Sequence, residues 1–386
     1  MIYKFLNCIL DLVFSFFYSS IELSSDYIVF NSTGNLNYNF NSRFLFESML
    51  QDEHFKDKKI YFIINDDNKR AELNKKYPNC FISSNSFFGR ILCLKAKVWI
   101  TSTIETPVWG LSKNSKRIVY HLGHGIPLKN ICLAENNISK LRWLNRKLRV
   151  RLFSHVTTYS SFFDDFFIKA FGNESIRLMH YGQPRNDTLV QNESLEKVFK
   201  LSRKEDETYV LYSPTWRPYS TTKLFPFDDF SVANLHSFLE ENNIYMFIRE
   251  HPYFKAEIPL GLFESDYVFN SNSDVISDIT PYLNGFDILV TDYSSIYLDF
   301  LSLNKKVLYI PYDIERYERM VGFSNSYDSL IFGSKITTYK DLLNELCSTH
   351  VGNADELMRF LNVLNLKTKS NCTEHLNYIY ELLNNA

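Results

Sequence analysis

The sequence predicts an α/β protein built from two Rossmann-like, doubly wound domains that face a central cleft. Three observations lead there. The 386 residues exceed one ordinary domain. Short β-rich apolar runs alternate with helical stretches along nearly the whole chain. Those runs are apolar on both faces, as strands of a parallel sheet between two helix layers must be.

Taken in order, a first series of strands is expected at 27–30, 60–64, 98–101, 118–121, 156–159 and 176–180. A second follows at 209–213, 245–248, 286–291 and 307–310, with helices at 42–51, 230–242, 295–303 and 340–348. The polar stretch 191–207 separates the series and reads as the linker, dividing the chain into domains 1–195 and 196–386. Hydrophobic residues make up 45% of the chain, and 33 Phe with 25 Tyr supply enough apolar area for two cores.

A formal net charge of −2 gives no global basic field, so nucleic acid is not an expected partner. The six cysteines, at 8, 80, 93, 132, 347 and 372, contain no C-x-x-C pair. They form neither a disulfide framework nor a zinc module, which fits a reducing cytoplasm.

Two segments are candidates for contact with a membrane. Over 2–18, Lys4, Asn7, Asp11 and Ser15 share one helical face, while Ile2, Phe5, Leu6, Ile9, Val13, Phe16 and Phe17 fill the other. The segment is short for a span, which takes roughly 20 apolar residues. It reads either as a helix on lipid or as one packed on the protein's own surface. Over 139–153, Lys140, Arg142, Arg146, Lys147, Arg149 and Arg151 surround a face made of Leu141, Leu144, Leu148 and Leu152. That pattern suits an anionic lipid surface, and equally a solvated face with a buried leucine stripe.

Ligands of doubly wound sheets sit beyond the carboxyl ends of the strands, so the residues after each strand matter most. The strand 118–121 runs into HLGHGIPLK, where Gly123 and Gly125 let the backbone turn and expose His124. Histidine titrates near neutrality and is suited to deprotonating a hydroxyl. Lys129 offers a point charge for phosphate. The strand 209–213 runs into PTWRP, where Arg217 provides a planar fork and Thr215 a hydroxyl. The strand 245–248 runs into REHP, which places Arg249 and His251 at its mouth. The strand 286–291 runs into DYSSIYLDFL. There Ser294 and Ser295 either cap the following helix or, with its free N–H groups, bind an anion. Asp292 would repel a phosphate, so it orients neighbouring groups or receives a proton or hydroxyl. For each of these residues a purely structural role, such as a capped or salt-bridged side chain, stands beside the functional one.

Together they suit phosphoryl transfer, in which positioning and charge stabilisation do most of the work. The chain has no G-x-x-x-x-G-K-[ST] loop, no G-x-G-x-x-G and no acidic metal cluster. An ATP-driven kinase is therefore not expected, and neither metal nor cofactor is required.

The same segments resemble the CDP-glycerol glycerophosphotransferase family of teichoic acid primases, polymerases and related capsule polymerases. H-G-T-P-L-K is matched by residues 124 to 129, and G-x-P-R-N-D by Gly182, Pro184, Arg185, Asn186 and Asp187. Y-x-P-T-W-R is matched by Tyr212 and 214–217, R-x-H-P by Arg249, His251 and Pro252, and T-D-Y-S-S by 291–295. Ile126 stands where the family usually has Thr, and Leu122-Gly123 where an aromatic is common.

The resemblance implies a GT-B fold, with an N-terminal acceptor domain and a C-terminal donor domain. It also implies glycerol phosphate transfer from CDP-glycerol to a hydroxyl of a lipid-linked or growing surface polymer, with release of CMP. His124 is then the base. His251, Arg217, Thr215, Arg249 and the Asp292–Ser295 turn handle the donor diphosphate, while Lys129, Arg185 and Asp187 serve acceptor or phosphate. The place of action would be the inner face of the cell membrane. A CDP-ribitol donor, a sugar-nucleotide glycosyltransferase and an idle polymer-binding module are the alternatives.

Overall fold

The structure is a computed structural model describing residues 2–17, 21–110, 114–191, 193–250 and 256–384, the side chains of 2–8 excepted. The chain forms two compact units. Met1–Ile126, Ile131–Asp187 and Lys369–Ala386 make the first, and Pro127–Asn130 with Thr188–Thr368 the second.

The first unit runs α1 (Ile2–Phe17), β1 (Ser24–Asn31), α2 (Phe40–Gln51), β2 (Lys59–Ile63), α3 (Asp67–Lys76), β3 (Phe81–Ile82), α4 (Phe87–Lys95) and β4 (Ala96–Thr101). It continues through β5 (Ile118–His121), α5 (Lys140–Val150), β6 (His155–Thr157), α6 (Asp164–Phe171) and β7 (Arg177–Met179). Among the described residues these strands form one parallel sheet in the order β3-β2-β1-β4-β5-β6-β7. β1 is the first strand laid down, and the chain winds outward from it on both sides, as right-handed crossovers require. One face of the sheet packs Ile28, Phe30, Phe62, Val98, Ile100 and Tyr120 against Leu45 and Phe46 of α2. Each such side chain contributes about 1.5–3 kcal/mol of burial.

The C-terminal helix Asn371–Asn384 completes that core with Cys372, Leu376, Ile379 and Leu383. A division at 195/196 assigns this helix to the second half, because nothing local marks its return. Asp187 explains it. Its Oδ1 accepts from the backbone and side-chain nitrogens of Asn371 at 2.9 and 2.7 Å, and its Oδ2 from the Cys372 N–H at 2.8 Å. A carboxylate on the free N–H groups of a helix start is favourable for both hydrogen bonding and dipole.

His121, at the end of β5, packs between Phe153 and Phe171. Burial, then the nearby His124, pushes its pKa down to about 3. It is therefore neutral in the folded state but protonates near 6.5 in the unfolded chain. The unfolded state binds more protons between these values, so this residue's contribution falls as pH drops. We expect the first unit to lose about 1.4 kcal/mol per pH unit from His121 below about pH 6.5. His121→Gln should flatten that slope in unfolding experiments run from pH 7 to 4, whatever it does to stability at pH 7.

The second unit contains β8 (Thr208–Tyr212), β9 (Thr222–Lys223), β10 (Ile244–Ile248), β11 (Ala256–Glu257), β12 (Val268–Asn270), β13 (Ile288–Thr291), β14 (Lys306–Tyr309) and β15 (Ser334–Lys335). Among the described residues its main sheet is again parallel, ordered β12-β10-β8-β13-β14-β15, with β9 and β11 paired apart from it. The expected linker instead holds a short helix, Leu195–Phe199, capped by the Ser194 side chain. Leu195 is buried against Gly285, where a Cβ would meet its Cδ1 at 2.7 Å. Two Rossmann-like units in one chain give a GT-B-like α/β fold. In each sheet the winding reverses beside the first strand, between β1 and β4 and between β8 and β13.

Candidate active site

In the first unit, the loop after β5 is held by its backbone. Gly123 takes φ +75°, and a Cβ there would lie 2.1 Å from the Tyr159 hydroxyl. That hydroxyl donates to the carbonyls of Leu122 and Gly125, both at 3.1 Å. Asn41, in the first turn of α2, donates to the Gly123 carbonyl at 3.0 Å and accepts from the Arg185 N–H at 3.2 Å. Arg185 donates through Nη1 to the His124 carbonyl at 3.0 Å. Side chains from three distant segments therefore fix the main chain on both sides of His124.

The His124 ring is exposed and lies 5.3 Å from the ring of Phe40. Phe40 adopts φ +58°, a conformation that costs a bulky residue about 1–3 kcal/mol. His124 Nδ1 is 3.4 Å from the Ser102 carbonyl oxygen. A carbonyl only accepts, so this contact places the proton on Nδ1 and leaves Nε2 as the basic nitrogen. Ser102 is itself bound to Ser42, whose backbone N–H and hydroxyl both lie 2.7 Å from its Oγ.

In the second unit, β8 and β13 are neighbours, and the register Val290↔Tyr212 brings their following loops together. Asp292 is buried and accepts from the Thr215 N–H at 2.8 Å. Arg217 has a fully buried side chain and is committed on every side. Nη1 meets Asp292 at 2.6 Å, while Nε and Nη2 donate to the two oxygens of Asp313 at 3.0 and 2.8 Å. The rings of Tyr293, Tyr312 and Tyr317 surround the guanidinium at 4.9, 4.7 and 5.5 Å. Burial raises the Asp313 carboxyl pKa, but the hydrogen bonds and charge of Arg217 outweigh it. With the hydroxyls of Tyr219 and Tyr293 added, Asp313 is held below the usual carboxylate value. For Arg217, burial is opposed by Asp292 and Asp313, and the net effect raises its pKa.

Arg217, expected as a phosphate fork or as a salt-bridged residue, has its donors serving two carboxylates. Arg249 is also buried, with Nη1 donating to the carbonyls of Ser271 and Ile276 at 2.6 and 2.8 Å. Asp187 is spent on the C-terminal helix, as described above. Ser295 stands at the start of the helix Ile296–Leu301 but makes no capping hydrogen bond. The Thr215 hydroxyl is buried and has no partner among the described residues. Lys129 sits 5.8 Å over the Trp216 ring, in a segment stitched to the second unit by an antiparallel bridge to Phe323. His251 lies outside the described residues.

Asp313, Tyr159, Asn41 and Phe40 escaped the sequence reading. Asp313 lies in the loop after β14, as Asp292 lies directly after β13, so the strand-end logic had a signal to find. The other three act on the loop from elsewhere in the chain and carry no local mark.

The family model described as CDP-Glycerol:Poly(glycerophosphate) glycerophosphotransferase matches residues 13–369. The teichoic acid poly(glycerol phosphate) polymerase of Bacillus subtilis (strain 168) is 25% identical over 334 residues, covering 83% of this chain and 43% of that protein. The teichoic acid glycerol-phosphate primase of the same strain is 28% identical over 233 residues, covering 60% of this chain and 58% of that one. The chain therefore spans about half the length of these two relatives. A structure of the wall teichoic acid polymerase TagF, from a histidine-to-asparagine variant with CDPG, superposes with a TM-score of 0.73 at 20% identity. It covers 97% of this chain and 93% of the other. With the family model spanning almost the whole chain, this protein belongs to the CDP-glycerol:poly(glycerophosphate) glycerophosphotransferase family.

Proposed function

We propose that the protein transfers glycerol phosphate from CDP-glycerol to a hydroxyl of a growing teichoic acid-like or capsule polymer. In this reading His124 Nε2 takes the proton of the acceptor hydroxyl as its oxygen attacks the β-phosphorus. The phosphoanhydride bond breaks, and CMP leaves with the electron pair. The donor diphosphate is assigned to the carboxyl end of the second sheet, at the winding reversal between β8 and β13. There the unpartnered Thr215 hydroxyl and the half-buried Ser294 and Ser295 serve it. Arg217 shapes this site through Asp292 and Asp313, and His251 is assigned to stabilising the transferred phosphoryl group. Lys129 and Arg185 are assigned to acceptor or phosphate.

The observation that carries the reading is the clamped loop around His124. An exposed imidazole on a backbone fixed by Asn41, Tyr159 and Arg185 is suited to a base and has little purpose in a passive surface. Incubation with CDP-glycerol and a glycerol phosphate primer should release CMP, with CDP-ribitol giving at least tenfold less. Equal rates would make the donor a CDP-polyol in general. No CMP from either would reject the proposal.

We place the enzyme on the inner face of the cell membrane, in contact with lipid. Among the described residues no helix is long and apolar enough to cross a membrane. α1 instead docks by its polar side. Asp11 bonds Arg90 at 2.7 Å and accepts from the Trp109 N–H at 3.2 Å, and Ser15 is buried. Its apolar side is left outward: Phe16 and Phe17 are 69% and 75% exposed, and Phe88 of α4 is 82% exposed. α5 likewise exposes Leu141, Trp143 and Leu144 beside Lys140 and Lys147. Apolar side chains with flanking cations favour anionic interfaces. Flotation with phosphatidylglycerol vesicles should recover the wild type and leave most of a Phe16→Glu/Phe17→Glu/Lys147→Glu variant in the pellet fraction. Equal flotation would remove the lipid contact.

A further inference from the structure

The first unit has a cavity of about 610 Å³ that the proposed reaction does not use. It opens at the amino ends of the strands, the end of the sheet opposite His124. Lys97 is the second residue of β4, Lys116 and Arg117 lead into β5, and Arg177 begins β7. Tyr378 and Glu381 of the C-terminal helix close one side. Four cations thus meet one carboxylate.

Among the described residues, none of these four cations is paired with a carboxylate within 4 Å. Arg117 makes this unusual, because it is only 5% exposed. Its Nε donates to the Ala96 carbonyl at 3.1 Å and its Nη2 to the Leu94 carbonyl, while the guanidinium lies 4.3 Å over Trp99. Burial lowers its pKa to about 10, so it stays charged at neutral pH. A buried charge with no counter-ion is costly, and an anion entering the cavity relieves that cost.

The cations are spread about the amino end of the sheet rather than focused on one point: the register sets Arg117 beside Lys97, and Arg177 level with His155 and Tyr120. β4 and β7 are three strand spacings apart, so at about 4.8 Å per strand Lys97 and Arg177 are separated by at least roughly 14 Å across the sheet. A single phosphate uses converging donors, whereas a chain with repeated charges can reach cations that lie far apart. Resting on the transferase reading above, we infer that this cavity is an anchoring subsite for a phosphodiester segment of the glycerol phosphate polymer, remote from its reacting end.

The test uses the full chain and a Lys97→Glu/Arg177→Glu variant. Both positions are at least partly exposed, so folding is spared, and equal melting temperatures check it. The probe is synthetic tri(glycerol phosphate), with inorganic phosphate beside it, in titration calorimetry. The wild type should bind the trimer more tightly than phosphate, and more weakly as salt is raised. The variant should lose at least tenfold in trimer affinity and show a raised KM for long acceptors, with kcat unchanged. Equal trimer binding by both proteins overturns the subsite, as does wild-type binding of phosphate as tight as that of the trimer. CMP release from CDP-glycerol keeps the two claims apart. If both proteins release CMP yet bind the trimer alike, the subsite alone fails; if neither releases CMP, the transferase reading fails first.

Discussion

Replacing His124 with alanine should lower turnover by about a hundred- to ten-thousandfold, the usual contribution of a positioned general base. The ring is exposed, and its loop is held through carbonyls of residues 122 to 125. Thermal stability should therefore change by less than about 0.5 kcal/mol, as for an ordinary surface substitution. Donor affinity should survive, because the donor is assigned to residues of the other unit. Single-turnover kinetics with CDP-glycerol separates these quantities. Retention of most of the wild-type rate would remove His124 from the chemistry.

Arg217→Ala should act in the opposite way, on structure first. Truncating it strips Asp292 and Asp313 of their counter-charge while both remain largely buried. Breaking a buried pair from one side costs about 3–5 kcal/mol. The three tyrosine rings around the guanidinium would lose their packing partner as well. Native-state hydrogen exchange should show β8 and β13 opening far more readily, with the first unit unaffected. The network also has an acid limit. Asp313 is held below the usual carboxylate pKa, so its stabilisation is complete above about 4 and is lost as pH falls through the lower, folded-state value. Unchanged exchange in β8 and β13 would mean that the ion pairs contribute nothing net.

The alternation of β-rich runs with helical stretches carried the fold, because strands buried on both faces are apolar without interruption. β3, β12 and β15 went unseen, being two or three residues long, whereas the equally short β6 and β7 lie within the longer runs read at 156–159 and 176–180. The return of the C-terminal helix was equally hidden, being decided by Asp187 reaching across 184 residues to Asn371. At the site, chemistry was legible and partnership was not. Arg217 and Asp292 were both singled out, but only the adjacency of β8 and β13 turns them into a pair. For α1 the two faces were legible from spacing alone. Which face packs depended on Arg90, 79 residues away, donating to Asp11.

The central claim is that the donor is cut between its two phosphorus atoms and that the β-phosphoryl group travels with glycerol. Phosphorus NMR of the CDP-glycerol and primer incubation reads this directly. Each diphosphate consumed should give one monoester signal from CMP and one new phosphodiester signal. Release of CDP, with no new phosphodiester, would mean that the phosphoanhydride bond stays intact and would contradict the account.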